Sequence, residues 1–70
     1  MLVEIIVDHT PIRLEPGPTR AREIIWQCGH DPSMTKLIEH DGPTQVEYVN
    51  NDVITVRHDQ QVSTRYMGSM

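Results

Sequence analysis

The sequence predicts an α+β fold in which one helix packs across a mixed sheet, and three features support this prediction. In residues 2–8 the β-branched side chains of Val3, Ile5 and Val7 occupy every second position, a period of two that is typical of a strand. Four residues then recur at the spacing of one helix face: Ala21, Ile24, Ile25 and Cys28. Short apolar segments separated by turn residues follow and indicate further strands.

Length and composition limit the functions to consider. Seventy residues make one domain, and a chain of this size buries only about 60% of its unfolded surface, which leaves little room for an enzyme pocket. The net charge is −4, which disfavours nucleic acid and anionic membranes as partners. We therefore expect neither an enzyme nor a cofactor.

Cysteine usage and hydropathy bear on where in the cell the protein is expected. Cys28 is the only cysteine, so an internal disulfide is excluded, and a small buried apolar side chain is its expected role. The apolar segment 2–7 contains Glu4 and lacks a basic start, which argues against a signal peptide. No apolar stretch approaches the ~20 residues that span a bilayer. We expect a cytoplasmic protein.

The central helix has recognisable boundaries. Residues 16–18, Pro-Gly-Pro, interrupt the preceding hairpin, Thr19 is a good N-cap, and Gly29 suits the left-handed position after the last turn. A helix of about ten residues is predicted, too short to be stable unless its apolar side packs on the sheet. Trp26 is off that side, and we expect it to pack at the edge of the core in preference to forming a contact surface.

The order of the elements predicts a topology. Strands are expected at 2–7, 12–15, 34–39, 45–49 and 62–66, with a short extended or single-turn piece at 53–56. A hairpin, a helix that crosses the sheet and a last strand that pairs in parallel with the first give the β-grasp fold. We expect one domain of this fold at 1–66 and a tail at 67–70.

With these elements in place, the chain resembles the bacterial ubiquitin-like proteins of the multiubiquitin type. The matching segments are 4–8 (Glu-Ile-Ile-Val-Asp), 19–25 (Thr-Arg-Ala-Arg-Glu-Ile-Ile) with 28–29 (Cys-Gly), 51–56 (Asn-Asp-Val-Ile-Thr-Val) and a final strand that begins at Val62. The chain departs from the family pattern at His9 and Gln60, where glycine is frequent, and at Val62, where an aromatic is frequent.

The resemblance implies a protein modifier that acts through its C-terminal carboxylate. Gly68 is then the conjugation residue, and a JAMM-type zinc protease removes Ser69 and Met70. An activating enzyme adenylates the new carboxylate with ATP and forms a thioester, and a conjugating enzyme passes it to an unknown target protein. Related systems have been linked to antiphage defence. The tail recognised by these enzymes is Arg65, Tyr66 and Met67.

Exposed apolar residues on the sheet of such proteins serve recognition, and we expect such a patch to contain Leu2, Ile6 and Val53. Lys36 is the only lysine, so chains linked through lysine can form only there.

Alternatives remain open. The first is a β-grasp module that binds a partner without being conjugated, with Gly68 and Ser69 only a flexible end or a remnant of cloning. A sulfur carrier ranks last because it needs a terminal glycine pair. Each of the four histidines adjoins an aspartate, but all four pairs are expected in separate turns, so we predict no metal site. Ser33, Ser63 and Ser69 lie in no nucleophile-elbow context, which argues against a catalytic triad.

Overall fold

The computed structural model describes residues 1–68, and Ser69 and Met70 lie outside the described part. Its elements, in chain order, are β1 (Val3–Val7), β2 (Thr10–Leu14), β3 (Gly17–Arg20), α1 (Ala21–Gln27), β4 (Thr35–Asp41), β5 (Thr44–Val49), β6 (Val53–Val56) and β7 (Gln61–Tyr66). The predicted strands are all present within two residues of their predicted bounds, and segment 53–56 is extended. One further strand, β3, was not predicted.

Five strands form the main sheet, in the order β2-β1-β7-β4-β5, and β3 pairs with β6 in a separate two-stranded sheet. The first and last strands lie side by side in the main sheet and run parallel, with Val7 opposite Val62. All other strand pairs are antiparallel. The architecture is α+β, one short helix against a mixed sheet, and it is compatible with a β-grasp-like fold.

A tight turn joins β1 to β2. Its two central residues, Asp8 and His9, both have positive φ, 50° and 69°, as a type I′ hairpin turn requires. The Asp8 carboxylate accepts a 2.9 Å hydrogen bond from the backbone N–H of Thr64 and a second bond from the Thr64 hydroxyl. These contacts fix the hairpin turn to β7.

The start of α1 differs from the prediction. The segment 17–20 pairs with β6 as a strand, so Thr19 is extended opposite Ile54 and the N-cap residue is Arg20, without a side-chain capping bond. Backbone carbonyls of the turn after β5 replace the missing cap: Asp52 and Asn50 accept the N–H groups of residues 21 and 22, each at 2.8 Å. The helix is therefore seven residues long, shorter than predicted.

The end of α1 matches the prediction. Gly29 has φ 84°, a conformation that glycine adopts without strain. Its N–H donates to the Trp26 carbonyl at 2.9 Å, and the N–H of His30 donates to the Ile25 carbonyl at 3.1 Å. This pair of bonds is the Schellman motif, which satisfies two carbonyls at the end of the helix.

The core lies between α1 and the inner face of the main sheet, which we define as the face that carries Leu37 and Val62. It consists of nine buried residues: Ile5, Val7, Ala21, Ile24, Ile25, Leu37, Ile54, Val56 and Val62. Cys28 packs half-buried against them, as part of the predicted helix side. Trp26 does not pack at the edge of this core: its exposed fraction is 71%, so that prediction was wrong. The helix side occupied by residues 21, 24, 25 and 28 already covers the sheet.

Among residues 1–68, no helix has the length and apolar character needed to cross a membrane.

Candidate functional site

The predicted conjugation site lies where the chain leaves β7. The last strand pair joins Tyr66 to Thr35, and the N–H of Met67 then donates to the Met34 carbonyl oxygen at 2.6 Å. The tail therefore remains hydrogen-bonded to the sheet for one residue beyond β7. Gly68 follows this bond and is half-buried. The predicted removable residues, Ser69 and Met70, lie outside the described part of the chain.

Gly68 lies against the ring of Tyr66. A Cβ atom built on Gly68 would overlap the hydroxyl end of that ring, so a side chain at position 68 would require Tyr66 to move. The ring is 68% exposed and has room to do so. The absence of a side chain thus lets the backbone of Gly68 approach the aromatic ring closely.

The three residues before Gly68 are accessible and point in different directions. Arg65 and Tyr66 are exposed on opposite faces of the sheet, because side chains alternate along a strand. Met67 is 40% exposed. A partner that approaches the tail can therefore contact a cation, an aromatic ring and a thioether within three consecutive residues.

The outer face of the main sheet, the face opposite α1, presents polar groups beside the tail. Arg65 lies opposite Lys36, which in turn lies opposite Val49 on β5. The Lys36 ammonium binds the Glu47 carboxylate at 2.8 Å, and its side chain is only 20% exposed. The one lysine of the chain is thus engaged in an ion pair. Val49, at 40% exposure, is an apolar residue at this end of the sheet that the sequence analysis did not select.

The three residues predicted to form a recognition patch do not lie together. Leu2 is 52% exposed but precedes β1, at the end of the sheet away from the tail. Ile6 is half-buried on the outer face and lies opposite Gln61. Gln61 is about 16 Å from Tyr66, where β7 ends and the tail begins. Val53 is 54% exposed and belongs to the two-stranded sheet.

Ile38 is the most buried apolar residue on the outer face. It lies on β4 opposite Ser63 and Glu47, outside the main core cluster, and only 4% of it is exposed. Both of its cross-strand partners, Ser63 and Glu47, are polar. An apolar surface centred on Ile38 is therefore not open in this conformation.

A buried carboxylate, Glu39, organises the loop between β6 and β7. It accepts hydrogen bonds from Gln60 Nε2 at 2.8 Å and from the Tyr48 hydroxyl at 3.0 Å, and it binds the Arg57 guanidinium at 2.8 Å. Burial acts to raise the pKa of Glu39, but these three partners outweigh it and hold the pKa below its ordinary value. These partners belong to β5 and to the loop between β6 and β7, so Glu39 ties that loop to the sheet.

Three of the four histidines, at positions 9, 30 and 58, lie outside the strands and the helix as predicted, but His40 belongs to strand β4, so the prediction of a turn there was wrong. Within residues 1–68, no group of three histidine, cysteine or acidic side chains lies close enough to hold a metal ion. His40 Nε2 lies 2.7 Å from Ser63 Oγ, a pair that the sequence analysis did not anticipate because the two residues are 23 positions apart. Asp8 lines the same surface pocket, but its carboxylate is bound to Thr64, so Asp8 does not complete a triad with this pair.

Cys28 is not activated as a nucleophile. Burial, and secondly the negative charge of Asp8, raises the pKa of the thiol above its ordinary value, and the thiol form is favoured.

Comparisons of this chain with protein-family models, with curated proteins and with solved structures find no match.

Proposed function

We propose that the chain has a β-grasp fold and acts as a protein modifier that is conjugated through the carboxylate of Gly68. The fold proposal rests on the sheet order, with a hairpin at one edge, parallel first and last strands side by side, and a helix across one face. The functional proposal rests on the direction of β7. This strand pairs with β1 at residues 61–62 and with β4 along its whole length, and it leads directly to the tail, so the main sheet presents the glycine.

The proposed chemistry needs a cleaved precursor. A protease of the JAMM type removes Ser69 and Met70, which leaves the Gly68 carboxylate as the chain end. An activating enzyme then joins this carboxylate to AMP with release of pyrophosphate, and a cysteine thiol displaces AMP to give a thioester. A target amine or hydroxyl finally displaces the thiol through a conjugating enzyme. Because ATP is consumed, we place the pathway in the cytoplasm.

Glycine at the reacting position has a physical basis in this proposal. A residue without Cβ threads a narrow channel and leaves its carbonyl open to a nucleophile. The close approach of Gly68 to the Tyr66 ring is consistent with this, since any side chain at position 68 would meet that ring.

Expression of an N-terminally tagged chain in its native host tests the proposal. We expect denaturant-resistant adducts for the full chain and for a version that ends at Gly68, which needs no protease. A version that ends at Met67 and the full-length Gly68→Glu variant should form none. Adducts that persist unchanged in Gly68→Glu would refute conjugation through this residue.

A second candidate is a binding module that is not conjugated. The hydrogen bond from Met67 to Met34 favours it, because it holds the tail against the sheet up to the residue before Gly68. Deletion of 67–70 distinguishes the two candidates. The module would retain partner binding and the biological effect, whereas the modifier would lose its effect.

A further inference from the structure

Strand β5 forms one edge of the main sheet, and part of its backbone is unpaired. Both backbone groups of Val49 point away from β4: its N–H donates to Asp52 Oδ2 and its carbonyl accepts from the Asp52 N–H, each at 2.9 Å. Because backbone groups alternate along an antiparallel strand, those of Gln45 and Glu47 also point outward. In the described part of the chain nothing binds the N–H and carbonyl groups of Gln45 and Glu47, four groups in all.

The opposite edge of the sheet is protected, whereas β5 is not. On β2, Thr10 follows the two-residue turn and pairs with Val7, so the backbone groups of Thr10 point toward β1. Because these groups alternate along the strand, those of Pro11 and Arg13 point outward, away from the sheet. Pro11 has no N–H to offer, and proline is a common means of blocking an edge strand. β5 has six residues, no proline and a single charged residue, Glu47. It is therefore the edge that is open to another strand.

We propose that β5 pairs antiparallel with β5 of a second copy of this chain, with Val46 opposite Val46 of the partner subunit. In this two-fold arrangement Gln45 of each protomer lies opposite Glu47 of the partner subunit. The four outward groups of each protomer then find four complementary groups. The two main sheets become one continuous sheet, with the inner faces on the same side.

Alternative registers of the same pairing are less favourable. A pairing centred on Glu47 places two carboxylates opposite each other and requires the backbone groups of Val49, which Asp52 already binds. A pairing centred on Gln45 brings Pro43 opposite Glu47, and proline lacks the N–H that this position needs. Only the register centred on Val46 uses all the free groups.

Side chains support the Val46 register. Val46 is 40% exposed, and a cross-strand pair of β-branched residues covers that apolar surface. Glu47 Oε1 is bound to Lys36 within its own protomer, which leaves its other oxygen to accept from the Gln45 carboxamide of the partner subunit. The side-chain pairs across β5 are thus self-complementary in this register.

Self-association goes beyond the proposed conjugation and does not depend on it. Because the two β5 strands run in opposite directions, the two tails leave from opposite ends of the joined sheet. Gly68 of each protomer stays outside the interface and remains available to other proteins.

Sedimentation equilibrium of the purified chain across the micromolar to millimolar range tests the proposal. We expect the mass to rise from that of a monomer toward twice that value. The amide exchange of Gln45 and Glu47 should slow as the concentration rises, while that of Arg13 should not change. A chain that stays monomeric up to millimolar concentration, with unchanged exchange at Gln45 and Glu47, would overturn the proposal.

A matched pair of proline variants locates the interface. Gln45→Pro removes an outward N–H without affecting the β4–β5 pairs, and it should weaken association by at least about tenfold, since the symmetric interface loses two bonds. Arg13→Pro makes the same change on the β2 edge and should associate like the unsubstituted chain. An equal loss in both variants would contradict an interface at β5.

Cross-linking tests the register without relying on proline. Opposed residues of a non-hydrogen-bonded pair have Cα atoms about 4.5 Å apart, within the range that disulfides accept. In a Cys28→Ala background, Val46→Cys should therefore form a disulfide-linked dimer under mild oxidation far faster than Thr44→Cys. Equal rates for the two variants would contradict the register.

Discussion

The Met67 N–H donates to the Met34 carbonyl oxygen across 2.6 Å, so the tail is attached to the segment that precedes β4. A turn built by Asp31 holds this carbonyl in place. The Asp31 carboxylate accepts from the N–H of Ser33 at 2.9 Å and from its hydroxyl at 2.8 Å, and its backbone carbonyl accepts from the Met34 N–H at 3.0 Å. The position of the tail thus depends on a turn that lies far from it in sequence.

Loss of the Asp31 side chain should loosen the tail. Asp31→Ala removes both bonds to Ser33, and we expect faster amide exchange at Met67 with little change in the exchange of β7. Asp31→Asn keeps an acceptor oxygen and should resemble the unsubstituted chain. Hydrogen exchange followed by NMR measures this. If the exchange of Met67 is unchanged in Asp31→Ala, the turn does not control the tail.

Truncation of two neighbouring helix residues should change the unfolding free energy by very different amounts. Ile25 is fully buried, and Ile25→Ala should cost about 2–5 kcal/mol of unfolding free energy, enough to unfold much of a domain this small. Trp26 is 71% exposed, and Trp26→Ala should change the unfolding free energy by less than about 0.5 kcal/mol. Urea unfolding followed by circular dichroism compares them. A large loss in Trp26→Ala would mean that Trp26 packs in the core.

Acid should destabilise the fold partly through Glu39. The pKa of Glu39 in the folded chain lies below the ordinary value of about 4.3. Its contribution to the unfolding free energy is therefore fully present at pH values above the ordinary pKa and is lost as the pH falls through the lowered pKa. We expect the unfolding free energy to decline below about pH 5 and the decline to be smaller in Glu39→Gln.

The same variant should also be less stable at pH 7. Glu39→Gln weakens the charged bonds to its partners, at a cost of about 1–3 kcal/mol. Asp41→Asn, an exposed change at the end of β4, is the control and should match the unsubstituted chain at both pH values. An acid decline that is equal in the unsubstituted chain and in Glu39→Gln would argue against a role for Glu39.

The hairpin turn offers a stabilising substitution. His9 has φ 69°, a region that costs a residue with a side chain about 1–2 kcal/mol and costs glycine nothing. His9→Gly creates the Asp-Gly pair typical of type I′ turns and should raise the unfolding free energy by about 0.5–1 kcal/mol after the entropy of glycine is subtracted. His58→Gly, at a residue without positive φ, should not stabilise the chain. Thermal unfolding compares both variants with the unsubstituted chain.

Local patterns predicted most of the fold correctly. Alternation of apolar residues located the main strands, and Gly29 marked the end of the helix because only its left-handed conformation completes the Schellman motif. The parallel pairing of β1 and β7 followed from the element order. These features depend on short-range periodicity and on chain connectivity, both of which are present in a single sequence.

The errors arose where distant residues decide the local structure. Thr19 has the propensity of an N-cap, but pairing of its segment with β6 keeps it extended, and carbonyls of the turn at 50–52 serve the helix start instead. Trp26 was expected at the edge of the core, but it is exposed because the helix side formed by residues 21, 24, 25 and 28 already covers the sheet. The recognition patch of Leu2, Ile6 and Val53 stays a prediction, because the placement of these residues depends on strand order and register, which local patterns do not reveal.

One measurement tests the central proposal most directly. The tagged chain is isolated from its native host under denaturing conditions and digested with trypsin, which cleaves after Arg65. A conjugated target then carries the remnant Tyr-Met-Gly, from residues 66–68, on the modified side chain, and tandem mass spectrometry identifies both the remnant and the residue that bears it. The proposal predicts this remnant for the unsubstituted chain and its absence for Gly68→Glu. Recovery of the chain only as a free peptide that still ends in Ser69 and Met70 would contradict it.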